Sequence, residues 1–273
     1  MKRVRRDPVL GVALGVILVV AAAAALAPRL APYDPTRVDP RVRLAPLGTP
    51  GHWLGTDHLG RDVLSRVIWG GRVSLVVGIV PVVLSAVAGT AIGLVAGYYG
   101  GVVDHVITRS LDVLFAFPAI LLALAIVSAL GPSIYDAMLA ITIVAVPSFA
   151  RLVRSSVLTL RTRAFVEAAA SLGASHRRIV TRHILPNTVS PVIVYGTFET
   201  GKTIVFAAAL SFLGLGVQPP TAEWGAMLSQ GRTALATAWH VATVPGLMIF
   251  VVSLSFNVLG DGLRDILDPR RTA

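Results

Sequence analysis

Long apolar runs that carry few or no charges recur along this chain. Because a helix needs about 20 apolar residues to cross the hydrocarbon core of a bilayer, each run of that length is a candidate membrane span. The run at 9–27 is uncharged and long enough, and so is the run at 73–99, which contains Pro81. These runs favour insertion into a membrane over burial in a soluble core.

Three further blocks extend the pattern. The block at 111–150 has about 40 residues, enough for two spans, and Gly131, Pro132 and Ser133 supply a turn between them. A fifth candidate lies at 188–216, interrupted by two charges, and a sixth at 241–259. The sequence therefore predicts an all-α membrane protein with six transmembrane helices.

Composition agrees with this class. Only 14% of the 273 residues are charged, whereas a soluble domain carries about 25%. The absence of cysteine excludes disulfides, iron–sulfur clusters and thiolate metal sites. The N-terminus resembles a secretory signal that ends at Ala27, but its apolar run is longer than the roughly 7–15 residues of a signal core, so an uncleaved first helix is preferred.

The basic residues predict the topology. They concentrate before the first run and between the fourth and fifth, at 151–182, and the positive-inside rule places both regions in the cytoplasm. We read the net charge of +10 in this way rather than as a nucleic-acid surface. The expected organisation is a cytoplasmic tail and first helix at 1–30, an extracytoplasmic loop at 31–72, a transmembrane domain at 73–267 and a cytoplasmic tail at 268–273, with both termini inside.

The outer loop should contain a short helix. Thr56 or Asp57 can cap it. Its apolar residues recur at a spacing of four beside a polar face, which predicts a helix lying in the membrane interface, with Asp62 and Arg66 spaced for an i,i+4 pair. A second outer segment, GVQPPTAEWG, follows the fifth span, and we expect Trp224 within it to lie at the membrane interface. Contact of this segment with a partner and a role as a structural cap both remain open.

Two spans carry small residues at a spacing of four. They are Gly11 and Gly15 in the first run, then Gly89, Gly93 and Gly97 in the second. Such faces let helix backbones approach closely in lipid. Subunit contact and ordinary packing within the bundle both remain open.

The loop between spans four and five has the strongest motif. It begins Glu167-Ala168-Ala169, contains Gly173, and ends Ile184-Leu185-Pro186. The pattern predicts a first short helix that stops at Gly173 and a second that begins at Ser175 and stops at Pro186. A small-residue helix in a basic loop suits docking into a groove on a partner, although a solvated loop is the plainer interpretation.

These residues resemble the EAA loop of ABC-transporter permease subunits. The stretches HWLGTDHLGRDVLSRVIWGGRVSL, ALSFLGLGVQPPTAEWGAML and PGLMIFVVSLSFNVLGDGLRDILDPR resemble the C-type permease of dipeptide, oligopeptide and nickel importers. The resemblance covers about 52–271, and the first span and 31–50 look generic.

The resemblance implies the partners and the site. The assembly would lie in the cytoplasmic (inner) membrane, where a sister permease would complete the membrane path. Two cytoplasmic subunits would hold ATP and magnesium, and an extracytoplasmic binding protein would deliver the solute. The EAA loop would form the coupling helix, in which Glu167 caps or pairs locally and Gly173 makes the bend. The coupling residues implied are Glu167, Ala168, Ala169, Gly173, Ile184, Leu185 and Pro186. No catalytic residue, cofactor or metal is expected on this chain itself.

One segment invites another interpretation. GTFETGKT, residues 196–203, fits the phosphate-loop pattern of many ATPases. It lies inside an apolar block of bilayer length, however, and no acidic residue at a buried strand end is available to hold magnesium. We therefore predict that this segment does not bind nucleotide.

Glu199 and Lys202 within it lie three apart, so on a helix they share a face and can pair. Charges inside a span normally face a bundle interior or an aqueous path, which predicts the solute path or the contact with the sister permease. A purely structural pair is the alternative. For the whole chain the alternatives are import of nickel chelates or another small solute, an ion-coupled carrier that uses this pair, and a membrane-bound phosphate-loop enzyme.

Overall fold

The protein is described here by a computed structural model that covers residues 8–267. Helices and their connections make up this part of the chain, which contains no β-strand. The helices are α1 (Pro8–Ala25), α2 (Ala27–Leu30), α3 (Val63–Tyr99), α4 (Gly101–Phe115), α5 (Ala119–Leu130), α6 (Ile134–Leu160), α7 (Ala164–Ser171), α8 (His176–Ile179), α9 (Leu185–Phe212), α10 (Trp224–Gly231) and α11 (His240–Leu267). Short 3-10 turns lie at Pro40–Val42 and Arg232–Ala234, and a π-helical segment lies at Val180–Ile184.

Four of the described helices, α1, α3, α6 and α11, are long and apolar enough to cross a membrane. The pair α4 and α5 makes a fifth candidate if the two count as one bent span. Helix α9 has the length of a span, at 28 residues, but carries Glu199 and Lys202 near its middle. The all-α membrane class is thus confirmed, whereas six spans remain a prediction.

The block at 111–150 is not two straight spans. Its second half is α6, and the predicted turn lies where expected, because Gly131 ends α5 and Ser133 caps α6 by accepting from the Asp136 N–H. Its first half is not one straight helix, and the third span stays a prediction. The chain bends by 87° between α4 and α5, and α5 has only 12 residues. Pro118, at the start of α5, cannot continue the hydrogen bonding of α4.

The separate interfacial helix of the outer loop is also a wrong prediction. Asp62, rather than Thr56 or Asp57, caps the helix by accepting from the Ser65 N–H, and the helix continues unbroken as α3 for 37 residues. The expected polar face is buried as well: Arg66 is 1% exposed and pairs with Asp57, not with Asp62. A periodic pattern of apolar residues cannot show whether a helix stops before the next apolar run.

Buried ionic groups hold the outer segment onto the bundle. The Asp57 carboxylate binds Arg61 at 2.7 Å, and both Arg61 and Arg66 donate to the side-chain oxygen of Gln230 on α10. Asp62 accepts from His52 Nδ1 at 2.9 Å. Because a buried charge is costly without partners, these contacts tie segment 31–62 to α3 and α10.

The glycine face of α3 packs inside the chain. A Cβ added at Gly89, Gly93 or Gly97 would approach Phe149, Val153 or Val157 of α6 to within 2.4–2.8 Å. Helices α3 and α6 therefore meet backbone to backbone along these positions. Of the two interpretations left open for this face, packing within the bundle is confirmed, whereas Gly11 and Gly15 have nothing within 4 Å.

Trp224 is fully buried, so its predicted position at the membrane interface is wrong. Its ring lies against Gly70 and Gly71 of α3, and its indole N–H donates to the Val67 carbonyl at 3.0 Å. Glu223 caps α10 by accepting from the Gly225 and Ala226 N–H groups. The segment after α9 is a structural cap on the N-terminal end of α3.

Both described ends of the chain lie at one end of the bundle. Leu10 of α1 lies against Gly262 of α11, and Arg264 shares a groove with Ser190 near the start of α9. The loop between α6 and α9 is at this same end. The outer segment and α10 lie at the opposite end, against the start of α3.

The glycine contact gives a first prediction. Gly93→Ala would place a Cβ 2.5 Å from the Ala150 carbonyl oxygen, so we expect a loss of about 1–3 kcal/mol, measured as a lower thermal unfolding midpoint of the purified chain in detergent. Gly15→Ala, with open space around it, is the control and should not lower the midpoint. Equal midpoints for the two variants would contradict the close α3–α6 contact.

Candidate functional site

The motif-bearing loop begins with α7, an eight-residue helix that ends in a glycine turn. Gly173 has φ +75°, a conformation that glycine adopts without strain. The Gly173 N–H donates to the Ala170 carbonyl and the Ala174 N–H reaches back to Ala169, which together form a Schellman motif. The bend predicted at Gly173 is confirmed.

The second half of the loop differs from its prediction in one respect. Ser175 caps α8, as expected, by accepting from the Arg178 N–H. Pro186 does not stop a helix, because it lies in the first turn of α9, where its missing N–H costs little. The π-helical segment joins α8 to α9, and the Leu185 N–H donates to the Val180 carbonyl five residues earlier. Helical structure thus runs without a break from the loop into the bundle.

An apolar cluster anchors the loop. Val166 of α7, Ile179 of α8 and Ile184 of the π segment are buried against Val153 and Val157 of α6. The Tyr98 hydroxyl at the end of α3 also lies 2.8 Å from His176 Nδ1. The loop is therefore packed on the ends of α3 and α6 rather than hanging free in solvent.

The predicted coupling residues separate into two groups. Ile184 is fully buried and belongs to the anchor. Ala169 and Leu185 are half-buried, whereas Glu167, Ala168, Gly173 and Pro186 are exposed. Within residues 8–267 the Glu167 carboxylate makes no hydrogen bond or ion pair, and its local role as a cap or ion-pair partner stays a prediction. Glu167 lies in the first turn of α7, which begins at Ala164, and a carboxylate there interacts favourably with the helix dipole.

Two apolar side chains missed by the motif stand out on the same loop. Leu172 is 88% exposed and Phe165 is 44% exposed. The same stretch also carries five exposed arginines, Arg161, Arg163, Arg177, Arg178 and Arg182. The sequence shows a leucine next to the glycine turn. It does not show that this leucine is exposed, because only the fold reveals which apolar residues of the loop form the anchor.

The second candidate site is a cavity beside the bend between α4 and α5. It has a volume of about 280 Å³ and is closed by α6 and α9. Phe115, Phe117 and Phe206 contribute apolar walls, and Glu199 and Lys202 line it from α9. Lys202 Nζ lies 3.1 Å from Glu199 Oε2, so the predicted pair on one helix face is formed.

The phosphate-loop pattern has the wrong structure for its chemistry. All of residues 196–203 are helical within α9, and the residues before them are helical too. A phosphate loop instead needs a turn between a strand and a helix, whose backbone N–H groups are free to face the anion. Here those N–H groups lie in a helix interior, and the nucleotide-binding alternative is excluded.

Comparison with known proteins identifies the family. Residues 89–273 match the family described as the binding-protein-dependent transport system inner membrane component. The chain belongs to this family. Residues 1–46 also match the N-terminal transmembrane domain of oligopeptide transport permease C, so the first span is typical of that group and not generic.

Curated relatives agree along nearly the whole chain. A protein of Pectobacterium atrosepticum named glutathione transport system permease protein GsiD is 48% identical over 254 residues, which cover 93% of this chain and 84% of that protein. The protein of the same name from Escherichia coli O6:K15:H31 is 48% identical over 269 residues, which cover 98% of this chain and 89% of that protein. The C-type, peptide-group permease family inferred from the motifs is confirmed.

Solved structures show the same fold at low sequence identity. The inward-facing MetNI methionine ABC transporter matches with a TM-score of 0.60 and 18% identity, covering 75% of this chain and 98% of that chain. An amino acid ABC transporter solved with histidines matches with a TM-score of 0.59 and 18% identity, and the match covers 75% of this chain and 95% of that chain. Relatives of this kind are non-catalytic permeases with ATPases on separate subunits, so the prediction that this chain is not an enzyme is confirmed. Family membership also implies a multi-pass inner-membrane protein.

The glycine turn gives a second prediction. Gly173→Ala meets no atom within 4 Å but forces a side chain into a left-handed conformation, at a cost of about 1–2 kcal/mol. We expect hydrogen exchange at the amides of residues 173 and 174 to become about five to thirty times faster, as measured by mass spectrometry. Gly173→Asn, which tolerates this conformation better, should have the smaller effect, and equal effects would contradict the strain argument.

Proposed function

We propose that this chain is the C-type permease of an ATP-driven importer of short peptides. It would span the inner membrane six times, with α4–α5 and α9 as the third and fifth spans and with both termini in the cytoplasm. The shared location of the two described chain ends and the basic loop supports this topology, because the positive-inside rule places that end of the bundle in the cytoplasm.

The anchored loop with its exposed tip is the observation that carries the coupling role. Val166, Ile179 and Ile184 fix the loop to the bundle, while Leu172 and Phe165 remain outside. A rigid apolar projection with a basic surround fits an apolar groove with an acidic rim on a partner. We place the ATPase contact here, with Glu167, Ala168, Gly173 and Pro186 on the contact surface and Ile184 behind it.

The partners follow the arrangement of the family. A sister permease would complete the path, two ATPase subunits would hold ATP and magnesium, and a binding protein would deliver the solute to the end that carries α10. Closure of the ATPases on ATP would move α7, and the unbroken connection through α8 into α9 would carry that movement into the bundle.

The solute class rests on the relatives. Their name as glutathione permeases favours a small peptide over a nickel chelate. The ion-coupled carrier that uses Glu199 and Lys202 has less support, because such a carrier has no use for an exposed, anchored docking loop.

The decisive experiment is a tagged purification from native membranes in mild detergent, with mass spectrometry of the associated proteins and an ATPase assay. We expect a sister permease and ATPase subunits to co-purify with ATPase activity. A chain recovered alone from membranes where the neighbouring subunits are expressed would contradict the proposal.

The docking surface gives a third prediction. Leu172→Asn should reduce co-purification of the ATPase subunits about tenfold or more, because a buried apolar anchor contributes on the order of 2 kcal/mol to an interface. The unfolding midpoint of the chain should not change, since Leu172 is 88% exposed.

The matched control for this variant is Val102→Asn on α4. Val102 is 79% exposed at the same end of the bundle but lies outside the loop. Full recovery of ATPase subunits with the Leu172 variant, or equal losses with both variants, would show that Leu172 is not an anchor.

A further inference from the structure

The charged pair of α9 lies near the middle of this helix, where charge is most costly if α9 spans the membrane as proposed. Glu199 is 14 residues from the start of α9 and 13 from its end, about 20 Å from each. A charge near the centre of a bilayer normally faces a bundle interior or an aqueous path and marks a functional site. The position of the pair is therefore not explained by packing alone.

The two members of the pair are not equally covered. The Glu199 side chain is 15% exposed, whereas the Lys202 side chain is 66% exposed. An ammonium group has three N–H donors, and within the described residues Lys202 uses one of them, on Glu199. The remaining donors need water or a ligand, so this face of α9 is not suited to lipid.

The surroundings of the pair have the composition of a small-molecule site. Aromatic and aliphatic side chains form most of the wall, and a few polar groups converge, among them Tyr195, Thr203 and Ser148. The volume of about 280 Å³ is near the lower end for ligand pockets, which is enough for the end of a short peptide.

We propose that the cavity between the α4–α5 bend, α6 and α9 is a contact site on the solute path for short zwitterionic peptides. Lys202 would face a peptide carboxylate and Glu199 a peptide ammonium group. This inference rests on the proposed function as a peptide permease. The pair carries no net charge, so it matches a zwitterion without attracting a simple ion strongly.

A site on a transport path must also release its ligand. Because Glu199 and Lys202 already form an ion pair at 3.1 Å, a peptide exchanges one ion pair for two and gains only the difference. This arrangement predicts weak, reversible contact. A rival occupant for the exposed Lys202 is an acidic residue of the sister permease, and the experiment below separates the two.

The test uses the complete transporter in proteoliposomes and compares uptake of two tripeptides, Ala-Glu-Ala with net charge −1 and Ala-Lys-Ala with net charge +1. Glu199→Gln leaves the cavity positive, so the ratio of anionic to cationic uptake should rise by about threefold or more. Lys202→Met leaves it negative, so the same ratio should fall by about threefold or more. The binding protein is identical in every assay, so its own preference cancels in the comparison with the native transporter.

Two controls make the outcome specific. Asp104→Asn and Arg154→Met remove the members of another ion pair, between α4 and α6, that does not line the cavity, and both should leave the ratio unchanged. If Glu199→Gln and Lys202→Met each reduce the uptake of both peptides by the same factor, the pair is structural or contacts the sister permease. That result would overturn the inference. An unchanged ratio in both variants would do the same.

A second measurement covers variants that assemble poorly. The chain contains no cysteine, so Lys202→Cys introduces a single thiol. In the assembled transporter this thiol should react with a water-soluble, charged thiol reagent, and trialanine delivered by the binding protein should slow the reaction at least threefold. Val205→Cys, exposed on the same helix but outside the cavity, should show no such protection.

The two proposals fail in different ways. If the native transporter shows no ATP-dependent peptide uptake, the proposed function is wrong and this inference falls with it. If uptake is normal but the thiol at position 202 is unreactive or unprotected, the inference alone is wrong.

Discussion

The close contact between α3 and α6 is the constraint on which the rest of the structure depends. Gly89, Gly93 and Gly97 bring the two backbones together, and the side chains they admit include Val153 and Val157. These same valines form the floor of the cluster that anchors the motif-bearing loop. Since lipid tails provide no hydrophobic drive for helix association, such fit between small and branched residues is what holds spans together. The position of the loop therefore depends on the α3–α6 contact, because that contact positions the valines to which the loop is anchored.

Glycines also allow close packing at the N-terminal end of α3, where the partner is the segment that contains α10. Gly70 and Gly71 make room for the Trp224 ring, and the buried carboxylate of Glu223 satisfies the start of α10 and the Ser74 hydroxyl. One long helix thus fixes the outer cap at one end and the loop at the other. Movement of this cap relative to α3 would have to break these buried hydrogen bonds. Movement of α9 would have to break the bonds from Ser229 to the Phe212 carbonyl and from Ser253 to the Gly201 carbonyl.

Residue chemistry that acts locally was predictable from the sequence, and long-range packing was not. The turn at Gly131, the left-handed glycine at Gly173 and the cap at Ser175 follow from backbone preferences that each residue expresses in any context. The burial of Trp224 and of Arg66 depends on partners more than 100 residues away, Gly70 for the ring and Gln230 for the guanidinium. Pro186 misled because proline also suits the first turn of a helix. The phosphate-loop pattern of GTFETGKT was correctly rejected from its apolar surroundings, since the pattern alone does not say whether its N–H groups are free.

Helix α9 joins the two candidate sites physically. It begins directly after the π segment of the loop and reaches Lys202 about 26 Å later, with Glu199 one turn before it. The loop and the start of α9 share one helical path, because the Leu185 N–H bonds across the junction and the Asn187 side chain donates to the His183 carbonyl at 2.6 Å. Under the proposed coupling, a displacement of the loop would reach the face that carries the charged pair through this one helix, which contains Pro191 between the two sites. A cavity that faced a flexible segment would lose this link, since bending would absorb the movement before it reached the solute.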